Sequence, residues 1–380
     1  MIVLNVLLAL AVIVAVTRLA GYLFQRIDQP AVIGELLGGI LLGPSLLGWV
    51  APDVSAAILP SSVMPLLRLH AQAGVIFFMF LVGLELDGRM IRQSSRATIF
   101  ISHASIVLPF ALGYLLAYAL YPRLAPPSVG FTPFALFIGV SMAITAFPVL
   151  ARILRDRGLN KTRMGAVALA CAAVNDVTAW CLLALVVSLT EFGDWRTAIA
   201  HMPGVVAGQL SHYLIFAAFL FGAIMPARAR MGAMLHDSLA RIVSLLFLPV
   251  FFAFSGLRTE IGLIAGSTDW LWCTAIIAVA CVGKFGGSVA AARLTGIGWR
   301  DAAALGVLMN TRGLVELVVL NIGLDLGVIS ARLFTMLVIM ALVTTAMTSP
   351  LLQLLLRKEP WTADVRLKPD ATMSSRSARL

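Results

Sequence analysis

Glu35, Asp176, Lys284, Arg312 and Glu316 all stand inside long apolar stretches of the chain. A charge at the centre of a membrane span costs roughly 2.5–3.5 kcal/mol on insertion scales, so each of these needs a role or a partner. Asp176, in "ACAAVNDVTAW", has no basic residue on its own segment between Met164 and Thr190. Its carboxyl group must be protonated, paired across helices, or bound to a cation. Each of those states suits a site that trades a proton for a cation. Asn175 beside it adds a neutral oxygen, the ligand type that hard cations prefer. The plain structural alternative is a buried aspartate held permanently by Lys284.

Lys284, in "CVGKFGGSVAAARL", is the lone lysine within an apolar segment, and Asp176 is its strongest candidate partner. The alternative is a side chain that snorkels to the headgroups. Arg312 and Glu316, in "NTRGLVEL", are spaced i, i+4, so one helical face can hold both as an ion pair, structural or otherwise. Two segments look interrupted at matching depth. Pro148, in "SMAITAFPVLARIL", removes a helical hydrogen bond, and Thr145 stands where it can satisfy freed backbone groups. Asn310, Thr311 and Gly313 interrupt the other segment. Half-helices at mid-membrane would offer carbonyls to a cation and amides to an anionic side chain; a simple proline kink is the alternative.

The elements that must position these residues are membrane helices. Of 380 residues, 60% are hydrophobic and 12% charged, far too few charges for a soluble domain. Eleven apolar segments can be marked: 2–24, 30–50, 63–84, 97–122, 131–151, 164–190, 204–226, 242–257, 270–292, 302–324 and 331–356. The first lacks a basic leader and reads as an uncleaved span. A soluble enzyme, a disordered chain and a disulfide scaffold are excluded. Cys171, Cys181, Cys273 and Cys281 lie in apolar runs without metal-ligand spacing and read as small packing residues. His70, His103, His201, His212 and His236 show no such spacing either. The pairs Gly34/Gly38, Gly39/Gly43 and Gly283/Gly287 read as sites of close helix approach.

The net charge of +10 points to orientation and not to nucleic acid. Fifteen Lys and Arg residues fall in alternate loops beginning after the first segment, against five in the opposite set (Arg68, Arg123, Arg196, Arg258 and Arg332). The positive-inside rule places the N-terminus outside and the C-terminal tail in the cytoplasm. "FFMFLVGLELD" at 77–87 echoes "FFAFSGLRTE" at 251–260, and "GGILLGP" at 38–44 echoes "LFGAIMP" at 220–226. Five helices separate the copies, so they cross the membrane in opposite directions, a pattern of secondary transporters. The expected organisation is a first repeat over 1–190, a short linker over 191–211, a second repeat over 212–356 and a basic, disordered tail over 357–380.

"PAVIGELLGGILLGPSLLG" at 30–48, "FFMFLVGLELD" at 77–87, "TAFPVLARIL" at 145–154, "ND" at 175–176, "GK" at 283–284 and "RGLVEL" at 312–317 follow one another in a characteristic order. The set resembles the monovalent cation:proton antiporters of the potassium-efflux and plant cation/proton-exchanger type, sodium/hydrogen exchanger-like proteins. The resemblance covers most of 1–190 and 212–356. It implies an all-α membrane protein with two crossing discontinuous helices in a core beside a scaffold, and an elevator-like motion. It implies Asp176 as the cation- and proton-binding carboxylate, Asn175 as its neighbour in the motif, Lys284 as the core lysine, and Thr145 and Pro148 at the crossover. The chain departs from the family over 191–211, where two of its usual thirteen helices are missing. The expected function is electroneutral exchange of K+ or Na+ for H+ in a bacterial inner membrane, without a cofactor and with a homodimer as the assembly. A channel or uniporter and a transport-inactive shortened homologue are the alternatives. A membrane enzyme is disfavoured, since the chain has no HExxH, paired Asp-rich motif or Gly-x-Ser-x-Gly elbow.

Overall fold

The computed structural model describes residues 2–85, 96–159, 162–192, 210–225 and 238–356. Among them every regular element is a helix. The first half holds α1 (Ile2–Arg26), α2 (Ala31–Leu42), two short helices α3 (Leu47–Val50) and α4 (Pro52–Ile58), α5 (Met64–Glu85), α6 (Arg96–Leu124), α7 (Phe131–Ala143), α8 (Phe147–Asp156) and α9 (Arg163–Phe192). The second holds α10 (Leu210–Ile224), a π-helical turn (Val243–Phe247) running into α11 (Leu248–Leu257), α12 (Gly266–Leu294), α13 (Trp299–Met309), α14 (Leu314–Asp325) and α15 (Ala331–Leu356).

Nine stretches among the described residues are long and apolar enough to cross a membrane, and the pair α13–α14, bent by 41°, makes a tenth. The eleventh expected segment, 204–226, is represented by the 15 residues of α10. The expected tail, and most of the expected linker, lie outside the described residues.

The helices pack as two groups. In one, α2 lies between α1 and α11, and α5 lies between α10 and α11. In the other, α6, α9, α12 and α15 surround the two broken spans, α7–α8 and α13–α14. The groups meet where α11 faces α14 and where α2 faces α15. Outward faces are apolar, with Val3 and Leu4 of α1 about 70% exposed, as a lipid-facing surface requires.

The repeated motifs pack crosswise. A Cβ on Gly39, in the first copy of "GGILLGP", would lie 2.4 Å from the Ala253 carbonyl oxygen in the second copy of the Phe-rich motif. A Cβ on Gly222, in "LFGAIMP", would lie 2.2 Å from the Phe80 carbonyl oxygen in the first copy. Each glycine lets backbone meet backbone at a helix crossing. The π-turn before α11 is closed by the Leu248 amide on the Val243 carbonyl oxygen. Pro249 carries no N–H to close the wide turn onto Ser244, and Arg18 of α1 donates to the Ser244 carbonyl oxygen instead.

Gly39→Ala should therefore separate α2 from α11 and lower stability by about 1–3 kcal/mol. Thermal unfolding of detergent-solubilised protein should show a lower midpoint. Gly262→Ala, where a Cβ meets nothing within 4 Å, is the control and should leave it unchanged.

Candidate functional site

The site is built where the two broken spans pass each other. Residues 144–146 leave the helix after α7, and residues 310–313 leave it after α13. The extended strands bind directly: the Ala146 amide donates to the Thr311 carbonyl oxygen (3.0 Å), and Thr145 Oγ1 donates to the Met309 carbonyl oxygen (2.9 Å). Gly313 admits this approach, since a Cβ there would lie 2.6 Å from Val149 Cγ2. Thr345 of α15 steadies the second break, donating to the Arg312 carbonyl oxygen at 2.8 Å and accepting from the Arg312 amide at 3.0 Å.

Pro148 does not kink a continuous helix. It sits at the first turn of α8, where its missing N–H falls among donors that have no helical acceptor anyway. The chain is already extended at Ile144 and Ala146.

A half-helix ending in the membrane leaves its last carbonyls without partners. Two buried cations take those of α7. Arg312 donates through Nη1 to the Ser141 carbonyl oxygen (2.5 Å) and through Nη2 to that of Met142 (2.8 Å). Lys284 donates to the Ala143 carbonyl oxygen. Both side chains are fully buried, which excludes a snorkelling Lys284. Cations at a helix C-terminus also meet the negative end of its dipole. The expected i, i+4 pair is formed, with Arg312 Nη1 at 3.2 Å from Glu316 Oε1 and both side chains at 0% exposure.

Lys284 does not form the expected ion pair with Asp176. Its ammonium donates to the Ser105 carbonyl oxygen (2.9 Å) and to Ala143, and it faces Asn175. An ammonium only donates, so the Asn175 amide turns its oxygen to it, at 3.1 Å. In that orientation Nδ2 donates to Ser102 Oγ (3.1 Å) and to the Cys171 carbonyl oxygen (3.3 Å), and Thr145 Oγ1 lies 3.1 Å from Oδ1. Asn175 thus spends its amide on Lys284 and α6.

Asp176 is 1% exposed, and neither carboxylate oxygen has a hydrogen-bond partner. The backbone amide of Phe147, the first residue of α8, faces it. The carboxylate therefore stands at the positive end of the second half-helix while the cations stand at the negative end of the first.

Pro109 is a positioning residue that sequence reasoning missed. It lies inside α6 and offers no N–H to the carbonyl four residues earlier, that of Ser105. That freed carbonyl is the one Lys284 takes. Gly283 adds close contact, since a Cβ there would lie 2.8 Å from Pro109 Cα. The signal was a proline four residues after a serine in an apolar run. Among the cysteines, Cys171 and Cys273 are buried, but Cys181 is exposed on α9 and does not pack in the core. Glu35 is 8% exposed and 3.9 Å from Arg18. Among the described residues no cluster of His, Cys, Asp and Glu could hold a metal ion.

Breaking the Arg312–Glu316 pair from one side should be costly. Arg312→Met leaves Glu316 and two carbonyls uncompensated, and stability should fall by about 3–5 kcal/mol. The double variant Arg312→Met/Glu316→Leu should recover part of that loss, read by thermal unfolding. Full recovery would show that the contacts to Ser141 and Met142 contribute nothing.

The chain matches the family model described as "Sodium/hydrogen exchanger, transmembrane" over residues 11–211 and 205–358. It is 41% identical to the Na(+)/H(+) antiporter NhaS4 of Synechocystis sp., in an alignment covering 91% of this chain and 96% of that protein. It is 37% identical to cation/H(+) antiporter 17 of Arabidopsis thaliana over 91% of this chain, and 34% identical to K(+)/H(+) antiporter 1 of Saccharomyces cerevisiae over 87%. It spans less than half of those two longer proteins, 47% and 44%. The fold is similar to that of the sodium proton antiporter MjNhaP1 from Methanocaldococcus jannaschii, with a TM-score of 0.62 at 15% identity, covering 94% of this chain and 99% of that one. The chain belongs to the transmembrane sodium/hydrogen exchanger family of monovalent cation:proton antiporters.

Proposed function

We propose that this chain exchanges a monovalent cation, K+ or Na+, for H+ by exposing Asp176 to the two sides of a membrane in turn. The observation that carries the reading is a buried carboxylate whose two oxygens lack protein partners, set at the amide end of a half-helix. A lone buried charge is unstable there. It must take up a proton or a cation, and it holds one at a time. Thr145, 3.1 Å from the Asn175 amide, supplies an oxygen on the same crossover. The names of the relatives, which include both a Na(+)/H(+) and a K(+)/H(+) antiporter, support the substrate class. The same reading takes the two motif copies as inverted repeats, sets the N-terminus outside and the tail in the cytoplasm of a bacterial inner membrane, and takes a homodimer as the assembly.

Asp176→Asn should abolish cation-dependent proton movement in proteoliposomes carrying a pH-sensitive dye, scanned over Na+, K+, Li+ and Rb+, with insertion unchanged. Asp176→Glu should retain part of the activity at an altered pH optimum. Exchange that survives Asp176→Asn would remove this residue from the mechanism, and flux without obligatory counterflow would indicate a channel.

Charge counting gives the stoichiometry. Arg312 offsets Glu316 at 3.2 Å, and Lys284 offsets Asp176 without touching it. Three acceptors surround the three N–H donors of Lys284, which favours an ammonium that keeps its proton through the cycle. The core is then neutral when empty and carries the same single positive charge with either H+ or a cation on Asp176. Exchange should be one for one and insensitive to membrane potential. An imposed valinomycin potential during Na+-driven exchange, or a protonophore clamp if K+ is carried, checks this. Acceleration or slowing by the potential would make Lys284 a proton carrier.

A further inference from the structure

The two helix groups are joined at one end by a charged cluster that the exchange chemistry does not use. Asp325 is the last residue of α14 and belongs to the group that carries Asp176. Its carboxylate is gripped by two arginines of the other group. Arg68 Nη2, on α5, lies 2.9 Å from one oxygen, and Arg258 Nη2, just after α11, lies 2.7 Å from the other. One turn earlier on α14, Asn321 Oδ1 accepts from Arg258 Nη1 at 2.8 Å, and Asn321 Nδ2 donates to Ser255 Oγ of α11 at 2.9 Å. The Arg258 guanidinium also stacks over Phe254 of its own group and Phe334 of the opposite one, at 5.6 and 5.8 Å from the ring centres.

A cavity of about 40 Å³ lies between the groups at this cluster, bordered by Arg68, Arg258 and Asp325 themselves and closed below by apolar side chains, Val75 and Phe251 on one side and Val318 and Ile322 on the other. It has room for a few waters at most, and a hydrated cation cannot pass. An apolar seam resists separation weakly and without direction, whereas two guanidinium groups on one carboxylate fix a single register. The charged side chains are partly accessible, 12% for Asp325, 19% for Arg258 and 48% for Arg68, so water is at hand to receive them when they part.

α14 is continuous with the crossover at Thr311–Gly313. Any path from this face to Asp176 along the seam requires α14 to leave α5 and α11, and with them the bonds that Asp325 and Asn321 make across it. We propose that Asp325, Arg68, Arg258 and Asn321 form an ionic clamp that holds the seam closed on the outer face and sets how often Asp176 is reached from that side. This rests on the exchange reading and on its orientation, in which Arg68 and Arg258 lie outside.

The test reads the seam and the transport separately. In a background with Cys171, Cys181, Cys273 and Cys281 replaced by alanine, Ile322→Cys is labelled in intact cells with a membrane-impermeant maleimide. Adding Asp325→Asn should raise the labelling rate about tenfold, equivalent to about 1.4 kcal/mol of clamp free energy. The charge-swapped variant Asp325→Arg/Arg258→Asp should return labelling toward the parent rate, which separates pairing from misfolding. Unchanged labelling in a well-inserted Asp325→Asn protein would overturn the clamp. As a second reading, Arg68→Cys/Asp325→Cys is bridged in proteoliposomes by a reducible bis-methanethiosulfonate cross-linker that spans the gap left by the arginine side chain. Exchange should stop when the bridge forms and return on reduction. Full exchange with the bridge formed would overturn the clamp and leave the antiport reading standing. No exchange even in the parent protein would overturn the antiport reading, and labelling would still decide the clamp.

Discussion

A helix that stops halfway across a membrane leaves carbonyl groups where no water can reach them, and the core of this protein is arranged around that constraint. The end of α7 is closed by two buried cations, Arg312 on Ser141 and Met142, and Lys284 on Ala143. Each capping charge then dictates what stands next to it. Arg312 requires Glu316, and the two are sealed together at zero exposure. Lys284 requires acceptors, and it draws in Ser105 and the Asn175 amide. When these obligations are met, Asp176 is left as the buried carboxylate without a bonded partner. Its freedom follows from the commitment of its neighbours to the backbone.

Three prolines of the bundle leave carbonyls that a long polar side chain from elsewhere in the chain takes. Pro109 frees Ser105, which Lys284 takes. Pro350 in α15 stands four residues after Ala346, whose carbonyl accepts from Gln29 Nε2 at 3.3 Å. Pro249 leaves Ser244 to Arg18. In a water-free medium such bonds tie helices together with a direction that apolar packing does not provide. They also explain why helices with so little amphipathic character settle into one register.

Much of this was legible in the sequence because a membrane makes polar residues conspicuous. Asp176, Lys284, Arg312 and Glu316 were visible as charges in apolar runs, and all four are buried at the crossover. The interruptions at 144–146 and 310–313 were marked by Pro148 and by Asn310, Thr311 and Gly313. The partners were less legible. Lys284 was expected on Asp176, because pairing by formal charge ignores backbone carbonyls, and a sequence does not reveal which carbonyls a distant proline has freed. The clamp at Asp325 escaped notice because charges at span ends are cheap and ordinarily solvated; only the packing brings Arg68 and Arg258 onto one carboxylate.

The dependence of Asp176 on residues far along the chain has a consequence for biogenesis. Lys284 and Arg312 belong to the second half of the chain. At the pace of synthesis, about 5–20 residues per second, the helix that carries Asp176 waits several seconds or longer before the Lys284 helix exists. Throughout that interval the bilayer holds a carboxyl group with neither the capped half-helix nor the cations that later surround it. A neutral carboxylic acid avoids the roughly 2.5–3.5 kcal/mol charged by the membrane for a lone ion, so the nascent helix enters in that form. The side chain thus holds a proton in the membrane before the protein around it is complete.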